Sequence, residues 1–298
     1  MKILFVAPFY RSHYLWLKAL RQLHCQIKIF KLTEFPGNRI INYFRLKSVI
    51  NNFQPDEIFF SAGLDAVLPF KNTVFFTGVA PETLSASERR IGIKAKLVVV
   101  NDPTHIPVWQ RLGAKKTICL PISAIDPADF PARKLKKIYP VSFVGTLFPY
   151  RQRQLLAIAK LYPGLKIWGR LEPGIKLSPA LKPNYQGLAE GTQLIKIYQQ
   201  SLIGLNLAPA HLPSAGNLRA FEIPAAGALL LSDHLNSDWY VNGREAVLFT
   251  SPQDCVAKIN YYLSHPDKLA LISRRARIRT LRRHTYYRRF KQLIKFLS

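Results

Sequence analysis

Several things are scarce in this chain, and each scarcity removes a class of protein. Cysteine is limited to Cys25, Cys119 and Cys255, far apart in sequence, with no CxxC pair and no histidine at metal-ligand spacing. That excludes a disulfide framework and a cysteine-based metal site, and it predicts buried thiols in a reducing cytoplasm. No segment approaches the about 20 uninterrupted apolar residues that span a bilayer, and Met1 to Ala7 is too short for the apolar core of a signal peptide. The run KILFVAP reads instead as a first strand. It ends in Pro8-Phe9-Tyr10-Arg11-Ser12-His13, without the glycines of a dinucleotide fingerprint, which argues against a nicotinamide-dependent oxidoreductase. Acid is the scarcest charge. Against 43 Lys and Arg there are 17 Asp and Glu, a formal net charge of +26. From Lys268 to Ser298 every charged residue is basic. Such a balance favours a polyanionic partner, whether nucleic acid, an anionic membrane face or an acidic polymer, and charge alone does not choose among them.

What is present describes an α/β chain. Its 298 residues, 48% of them apolar, give room for two α/β domains of about 130 to 150 residues each. Lys2 to Ala7 and Gln26 to Leu32 are β-rich runs separated by a helical pattern with Tyr14, Leu17, Leu20 and Leu23 at steps of three. Glu57 to Ser61, Thr73 to Thr77, Lys96 to Val100 and Lys116 to Leu120 repeat the strand theme, each run followed by a turn. Strands alternating with helices imply a parallel, doubly wound sheet. The stretch from Pro121 to Lys137, with three prolines and four basic residues, reads as a linker and puts the first domain at 1–138. The alternation then restarts with strands at Pro140 to Gly145, Leu165 to Gly169 and Tyr185 to Leu188. Helices are expected at about Arg151 to Leu161 and Thr192 to Gln200, and a strand at Ala246 to Thr250 is followed by a helix from Pro252 to Ser264. The second domain is expected at 139–280, and a basic amphipathic helix at 281–298, with Thr285 as its cap.

The most informative stretch is LIGLNLAPAHLPSAGNLRAFEIPAAGALLLSD, Leu202 to Asp233. It reads as a buried strand, a Pro/Gly/Ser loop, a short helix carrying Asn217, Arg219 and Glu222, a stop at Gly227 and a second apolar strand. A strand, a loop and a helix with a polar first turn set N–H groups, a guanidinium and a carboxylate at the carboxyl edge of a parallel sheet. That arrangement suits a phosphorylated, hydroxyl-bearing ligand. Arg219 and Glu222 are also i, i+3 neighbours, so an ordinary surface ion pair is the plainer account. A second motif, Gly145-Thr146-Leu147-Phe148-Pro149-Tyr150-Arg151, follows the strand VSFVG. Its glycine lets backbone approach a ligand, and Arg151 can set a two-pronged donor beside a phosphate. The plainer account is a strand-to-helix turn with a solvated arginine.

Together, FVG-x5-R and the later N-x-R-x-F-E-x-P-A-x-G-x-x-L-L-S-D resemble the carboxyl-terminal domain of GT-B glycosyltransferases, specifically the CgeB-like (spore maturation protein) group. The tail YYLSHPDKLALISRRARIRTLRRHTYYRRF is similar to that group's YYL-x-HP … HTY-x-x-R ending, and VVVNDPTHIPVWQRLGAKKTICLPISAIDP resembles the last part of a GT-B amino-terminal domain. The motifs cover about residues 140 to 290. The resemblance implies two Rossmann-like domains facing a cleft, with a basic carboxyl-terminal helix packing back toward the first domain. It also implies transfer of a sugar from a nucleotide-diphosphate donor, without a metal or other cofactor. By position it assigns Glu222 to the ribose hydroxyls, Arg151 to the donor diphosphate, Gly145 to the turn beneath it, and Asn217 and Arg219 to the diphosphate and sugar. Ser214 and Gly216, in the preceding loop, complete the expected donor-binding set. Two positions depart from the wider retaining families: Ser214 stands where a second glutamate lies, and Thr146 where a basic residue usually follows the glycine.

The remaining candidates lie in the first half. His13 and His105 follow strands at carboxyl ends, where an imidazole can orient an acceptor or stabilise charge; solvated loop histidines are the alternative. Glu82 is a candidate base or a helix amino-terminal charge. The expected acceptor is a glycan, a lipid-linked molecule or a protein. The last helix, with Tyr286, Phe290, Leu293 and Leu297 on one side, can pack on the protein, lie on an anionic membrane at the cytoplasmic face, or bind nucleic acid. Nucleic acid is disfavoured, because no recognised motif accompanies the charge. A GT-B shell that binds a glycan or polymer without turnover stays open beside the enzyme.

Overall fold

The structure is a computed structural model that describes residues 1–8, 10–31, 39–61, 71–132, 135–209, 212, 214 and 217–297. The chain divides into two compact units, each described by itself. The first is chiefly Met1–Ser123 with Tyr286–Ser298, and the second chiefly Ala124–Pro209 with Ser214–Thr285.

In the first unit the order is β1 (Lys2–Ala7), α1 (Arg11–Gln22), β2 (Gln26–Lys31), α2 (Arg39–Phe53), β3 (Glu57–Ser61) and β4 (Thr73–Thr77). Then follow α3 (Ala86–Lys94), β5 (Leu97–Val100), α4 (His105–Arg111) and β6 (Thr117–Cys119). All pairings are parallel, in the order β2-β1-β3-β4-β5-β6. β3, β4 and β5 are buried along their whole length, as strands covered by helices on both faces must be, whereas the edge strand β2 exposes Gln26, Lys28 and Lys31. Local signals set the helix limits. Ser85 and Glu88 form a capping box at the start of α3, each side chain meeting the other's backbone N–H.

The second unit contains β7 (Tyr139–Val144), α5 (Pro149–Leu161), β8 (Leu165–Trp168), α6 (Gly191–Gln199), β9 (Ser201–Asn206) and α7 (Arg219–Ala225). It continues with β10 (Leu229–Ser232), β11 (Val247–Leu248), α8 (Pro252–Ser264) and α9 (Pro266–Arg283). Its sheet, again parallel, runs β11-β10-β9-β7-β8. Both sheets therefore reverse their winding once: between β1 and β3 in the first, and between β7 and β9 in the second. At such a reversal the connections leave on opposite faces and open a crevice at the carboxyl ends of the strands. Two apolar clusters, one including Phe143, Leu205 and Ile259 and the other Val144, Phe221 and Leu230, fill the second unit. Helix α7 lies so close on β9 that a Cβ at Gly204 would stand 2.5 Å from Ile223.

Several expectations are corrected. The boundary expected near 138 falls instead between Ser123 and Ala124. The proline-rich stretch is not a free linker, because Ile125 and Phe130 are buried in the second unit's core, and the Ile125 amide donates to His284 O at 3.1 Å. The strand expected at Tyr185 to Leu188 reduces to one bridge between Tyr185 and Ile167. Asn217 precedes α7 rather than lying in it. Of the cysteines only Cys255 is buried; Cys25 and Cys119 are partly exposed.

The last helix, α10 (Tyr286–Leu297), belongs to the first unit. Phe290 is 2% exposed and meets Trp16 of α1 at 5.5 Å between ring centroids, with Phe59 and Phe76 each at 6.3 Å. Tyr286 and Leu293 are buried beside it, so protein covers the apolar face of this helix as far as Leu293, with Leu297 half-buried. Among the described residues no helix is long and apolar enough to cross a membrane. Truncating a fully packed phenylalanine costs about 3–5 kcal/mol. Phe290→Ala is therefore expected to destabilise the first unit by that amount in urea unfolding, and a loss below about 1 kcal/mol would contradict this packing.

Candidate active site

The reversal between β7 and β9 sets the position of the site. β7 ends at Val144 and β9 at Asn206, side by side in the sheet. Gly145, at the first of these ends, donates its amide to Trp168 O at 3.0 Å. Its own carbonyl leaves no room for a side chain opposite, since a Cβ at Gly169 would lie 1.8 Å from Gly145 O. The two glycines let the β7–α5 and β8 turns close on each other. Tyr198, buried in α6, fixes Val144 from below: its hydroxyl accepts from Val144 N at 3.2 Å and donates to Val144 O at 3.3 Å. Burial raises the pKa of that phenol well above the ordinary range, so it stays protonated.

Onto this frame α7 delivers Arg219 and Glu222. Arg219 Nε donates to Val144 O at 2.7 Å, and its Nη1 pairs with Glu222 Oε2. The two side chains are 24% and 18% exposed, so the pair is neither a solvated surface bridge nor sealed in the core. Burial alone would lower the arginine's pKa, but the adjacent Glu222 carboxylate, with Tyr198 and Glu190, outweighs it and the pKa is raised. The guanidinium is thus fixed at its Nε and Nη1 ends. Its Nη2 has no partner among the described residues, nor does Glu222 Oε1.

Arg151 lies where the sequence puts it, in the first turn of α5, but its donors point inward. Nε and Nη2 both donate to Leu207 O, at 3.1 and 2.6 Å, and Nη1 donates to Thr146 O at 3.0 Å. Phe148, Tyr150 and Phe143 surround the guanidinium at 5.3, 5.7 and 6.0 Å from their ring centroids. This arginine is 6% exposed, and burial lowers its pKa. It ties the end of β9 to the start of α5. The expected forked contact to a diphosphate is replaced by a forked contact to main chain.

A polar network that sequence spacing did not reveal lies alongside. Asn217 Nδ2 donates to Asn206 Oδ1 at 2.8 Å, and Asn206 Nδ2 donates to Ser232 Oγ at 2.9 Å. Asp233 Oδ1 accepts from the Ala208 amide at 2.8 Å. Asn206, Ser232 and Asp233 were legible only as the polar residues that terminate the apolar runs of β9 and β10. Ser214 is half-buried in the turn before α7. Gly216 lies outside the described residues.

The candidates in the first half are placed differently. His13 sits at that sheet's own reversal and is 3% exposed. The Tyr10 amide donates to its Nδ1 at 3.0 Å, so the ring proton is on Nε2, 3.0 Å from Ser61 Oγ. Phe5, Trp16 and Tyr10 pack around the ring at 5.7, 5.0 and 5.7 Å. Burial lowers the pKa to about 4, so His13 is neutral near pH 7 with both nitrogens engaged. It orders the β1–α1 turn and has no lone pair to offer an acceptor. His105 is buried at the start of α4, and Glu82 is exposed in the 81–83 turn. Among the described residues no cluster of His, Cys, Asp and Glu could hold a metal ion.

Comparison with known proteins bears on both units. Residues 151–295 match the family model described as glycosyl transferase-like. Among solved structures the chain is similar to HepE from Anabaena in complex with UDP and glucose, with a TM-score of 0.69, 16% identity, and 100% and 99% of the two chains covered. An alpha-glucosyltransferase in complex with UDP-glucose and DNA containing an abasic site gives a TM-score of 0.72 at 10% identity, covering 99% and 98%. A glycosyltransferase from Rickettsia africae gives 0.67 at 13%, covering 99% and 97%. A search of curated protein sequences returns no match. The fold is that of the GT-B glycosyltransferases.

Two outcomes are expected from this geometry. Lysine carries its donors on one nitrogen and lacks the planar fork whose separate nitrogens reach Leu207 O and Thr146 O, so Arg151→Lys should lower stability by about 2–3 kcal/mol in denaturant unfolding. His13 has a folded-state pKa below its unfolded value of about 6.5, so the unfolded chain binds the extra proton and stability falls as pH drops from about 6.5 toward 4. Between pH 7 and 4.5 this residue should account for about 2 kcal/mol, and His13→Gln should lack that part of the acid loss.

Proposed function

We propose that this chain is a glycosyltransferase whose second unit binds a nucleotide-diphosphate sugar at the β7/β9 reversal. The observation that carries the proposal is the half-buried Arg219–Glu222 pair, anchored on Val144 O with an open guanidinium edge and an open carboxylate oxygen. A carboxylate oxygen accepts from a ribose hydroxyl, and guanidinium N–H groups match phosphate oxygens. The pair therefore offers both halves of a nucleoside diphosphate in one place. The glycosyl transferase-like match over 151–295, which contains both residues, and the UDP named with the Anabaena protein support the same reading.

In the mechanism, the bond from the anomeric carbon to the diphosphate oxygen breaks and negative charge builds on the leaving diphosphate. Arg219 is already in place to receive that charge, and a preorganised cation in a partly dry site stabilises it more than water does. Arg151, spent on Leu207 and Thr146 carbonyls, contributes field rather than contact. Asn217, held by Asn206, would orient the sugar side of the donor. Two cations in one neighbourhood give a route to charge stabilisation in which protein groups do the work proposed for them without a metal. The YYL-x-HP … HTY-x-x-R ending supports reading the chain as a member of the CgeB-like group.

A second reading, a glycan-binding shell without turnover, is favoured by Ser214 and Thr146, which leave one carboxylate and one cation out of the expected set. Calorimetric titration with uridine, guanosine, adenosine and thymidine diphosphates, followed by turnover assays with the matching nucleotide sugars, separates the two. We expect one diphosphate, uridine first, to bind, and Glu222→Ala to weaken it by about tenfold or more with the fold intact. Binding without hydrolysis or transfer from any donor would favour the second reading. Absence of binding by all four would overturn both the donor site and the enzyme.

A further inference from the structure

At the amino-terminal edge of the second sheet, the edge away from Arg219 and Glu222, a cavity of about 460 Å³ opens between the start of β9, Gly227 ahead of β10 and the α8–α9 corner. Its size falls in the range of about 300–1,000 Å³ typical of small-molecule sites. The walls are apolar, formed by Leu202, Tyr262 and Leu269, and among the described residues the charges that line it are Lys137, Arg274 and Arg277. Among the described residues no carboxylate lines it. Lys137 Nζ donates to Ser201 O at 2.8 Å and Gly227 O at 3.4 Å. Arg277 donates through Nη1 to Ala225 O and through Nη2 to Phe130 O at 3.0 Å. Arg274 is exposed at the rim, with no partner among the described residues.

Arg277 is half-buried, and a cation partly drawn from water and matched only by carbonyl dipoles is incompletely compensated. Burial lowers the pKa of Lys137 to about 8 and lowers that of Arg277 as well. A negative group at the rim would complete the compensation. The apolar walls, however, give nothing to a hydrated inorganic ion, whereas a hydrocarbon chain would be desolvated against them. We propose that this cavity binds an amphiphile with one anionic head, carboxylate or phosphate, held by Arg274, Arg277 and Lys137, and a hydrocarbon chain laid against Leu202, Tyr262 and Leu269.

The test is a titration of the full chain with decanoate, decyl phosphate, decanol and inorganic phosphate, each below micelle-forming concentration. Saturable binding of one decanoate or decyl phosphate per chain is expected, and whichever binds tighter identifies the head group. Arg274→Glu, an exposed change that leaves the fold intact, should weaken it about tenfold or more. Ala270→Trp, at the cavity wall, should block it, with the melting temperature of each variant checked against the parent. Decanol binding as tightly as the anions would overturn the ionic head, and inorganic phosphate binding as tightly would overturn the hydrocarbon chain. No binding by either amphiphile, or full affinity in Arg274→Glu, would overturn the site.

Discussion

In this acid-poor chain several cations, from the buried Arg151 to the exposed Lys137, are held by main-chain carbonyls. Arg151 rests on Leu207 and Thr146, Arg277 on Ala225 and Phe130, and Lys137 on Ser201 and Gly227. Arg89, outside any site, does the same with Leu84 O. A carbonyl satisfies a donor's hydrogen-bonding need but not its charge, which is why burial lowers the pKa of Arg151, Arg277 and Lys137. Each such contact ties two loops or strand ends together, and each leaves positive potential at its position. The architecture of the second unit depends on the first of these consequences, and its proposed ligands on the second.

Arg219, at the site, is held differently from these four. It too takes a carbonyl, Val144 O, but it also has a carboxylate beside it, and the Glu222 charge more than offsets the effect of burial. A guanidinium so compensated is stable enough to remain partly open to solvent with donors unspent. Arg151, six residues past Gly145, looks the better phosphate ligand by position, yet it is the one held by main chain. The reversal of winding between β7 and β9 explains why both arginines converge there: the turns after the two neighbouring strands leave on opposite faces of the sheet, beside one crevice.

The sequence made much of this legible because burial on both faces of a parallel sheet leaves continuous apolar runs, and turns between them are rich in Gly, Pro and Asn. Glu222 and Arg219 were legible as i, i+3 neighbours on a short helix between two such runs. What spacing does not encode is the direction of a long side chain. The inward turn of Arg151, the engagement of both His13 nitrogens, and the Asn206–Asn217 pair all depend on atoms brought close by tertiary structure. The boundary was misread for a related reason: prolines and lysines between Pro121 and Lys137 look like a linker, but Ile125 and Phe130 within that run supply core residues to the second unit. The basic last helix was likewise ambiguous until Phe290 was found against Trp16, which covers the face a membrane would need.

The account stands on a division of labour between two arginines, one structural and one for the ligand. Its most direct test compares the affinities of uridine diphosphate and uridine for the parent chain, Arg219→Met and Arg151→Met. The account predicts that Arg219→Met weakens the diphosphate by about tenfold or more while leaving uridine within about twofold, and that Arg151→Met lowers the unfolding midpoint far more than Arg219→Met does. Equal loss for diphosphate and nucleoside in Arg219→Met, or a diphosphate-specific loss confined to Arg151→Met, would contradict it.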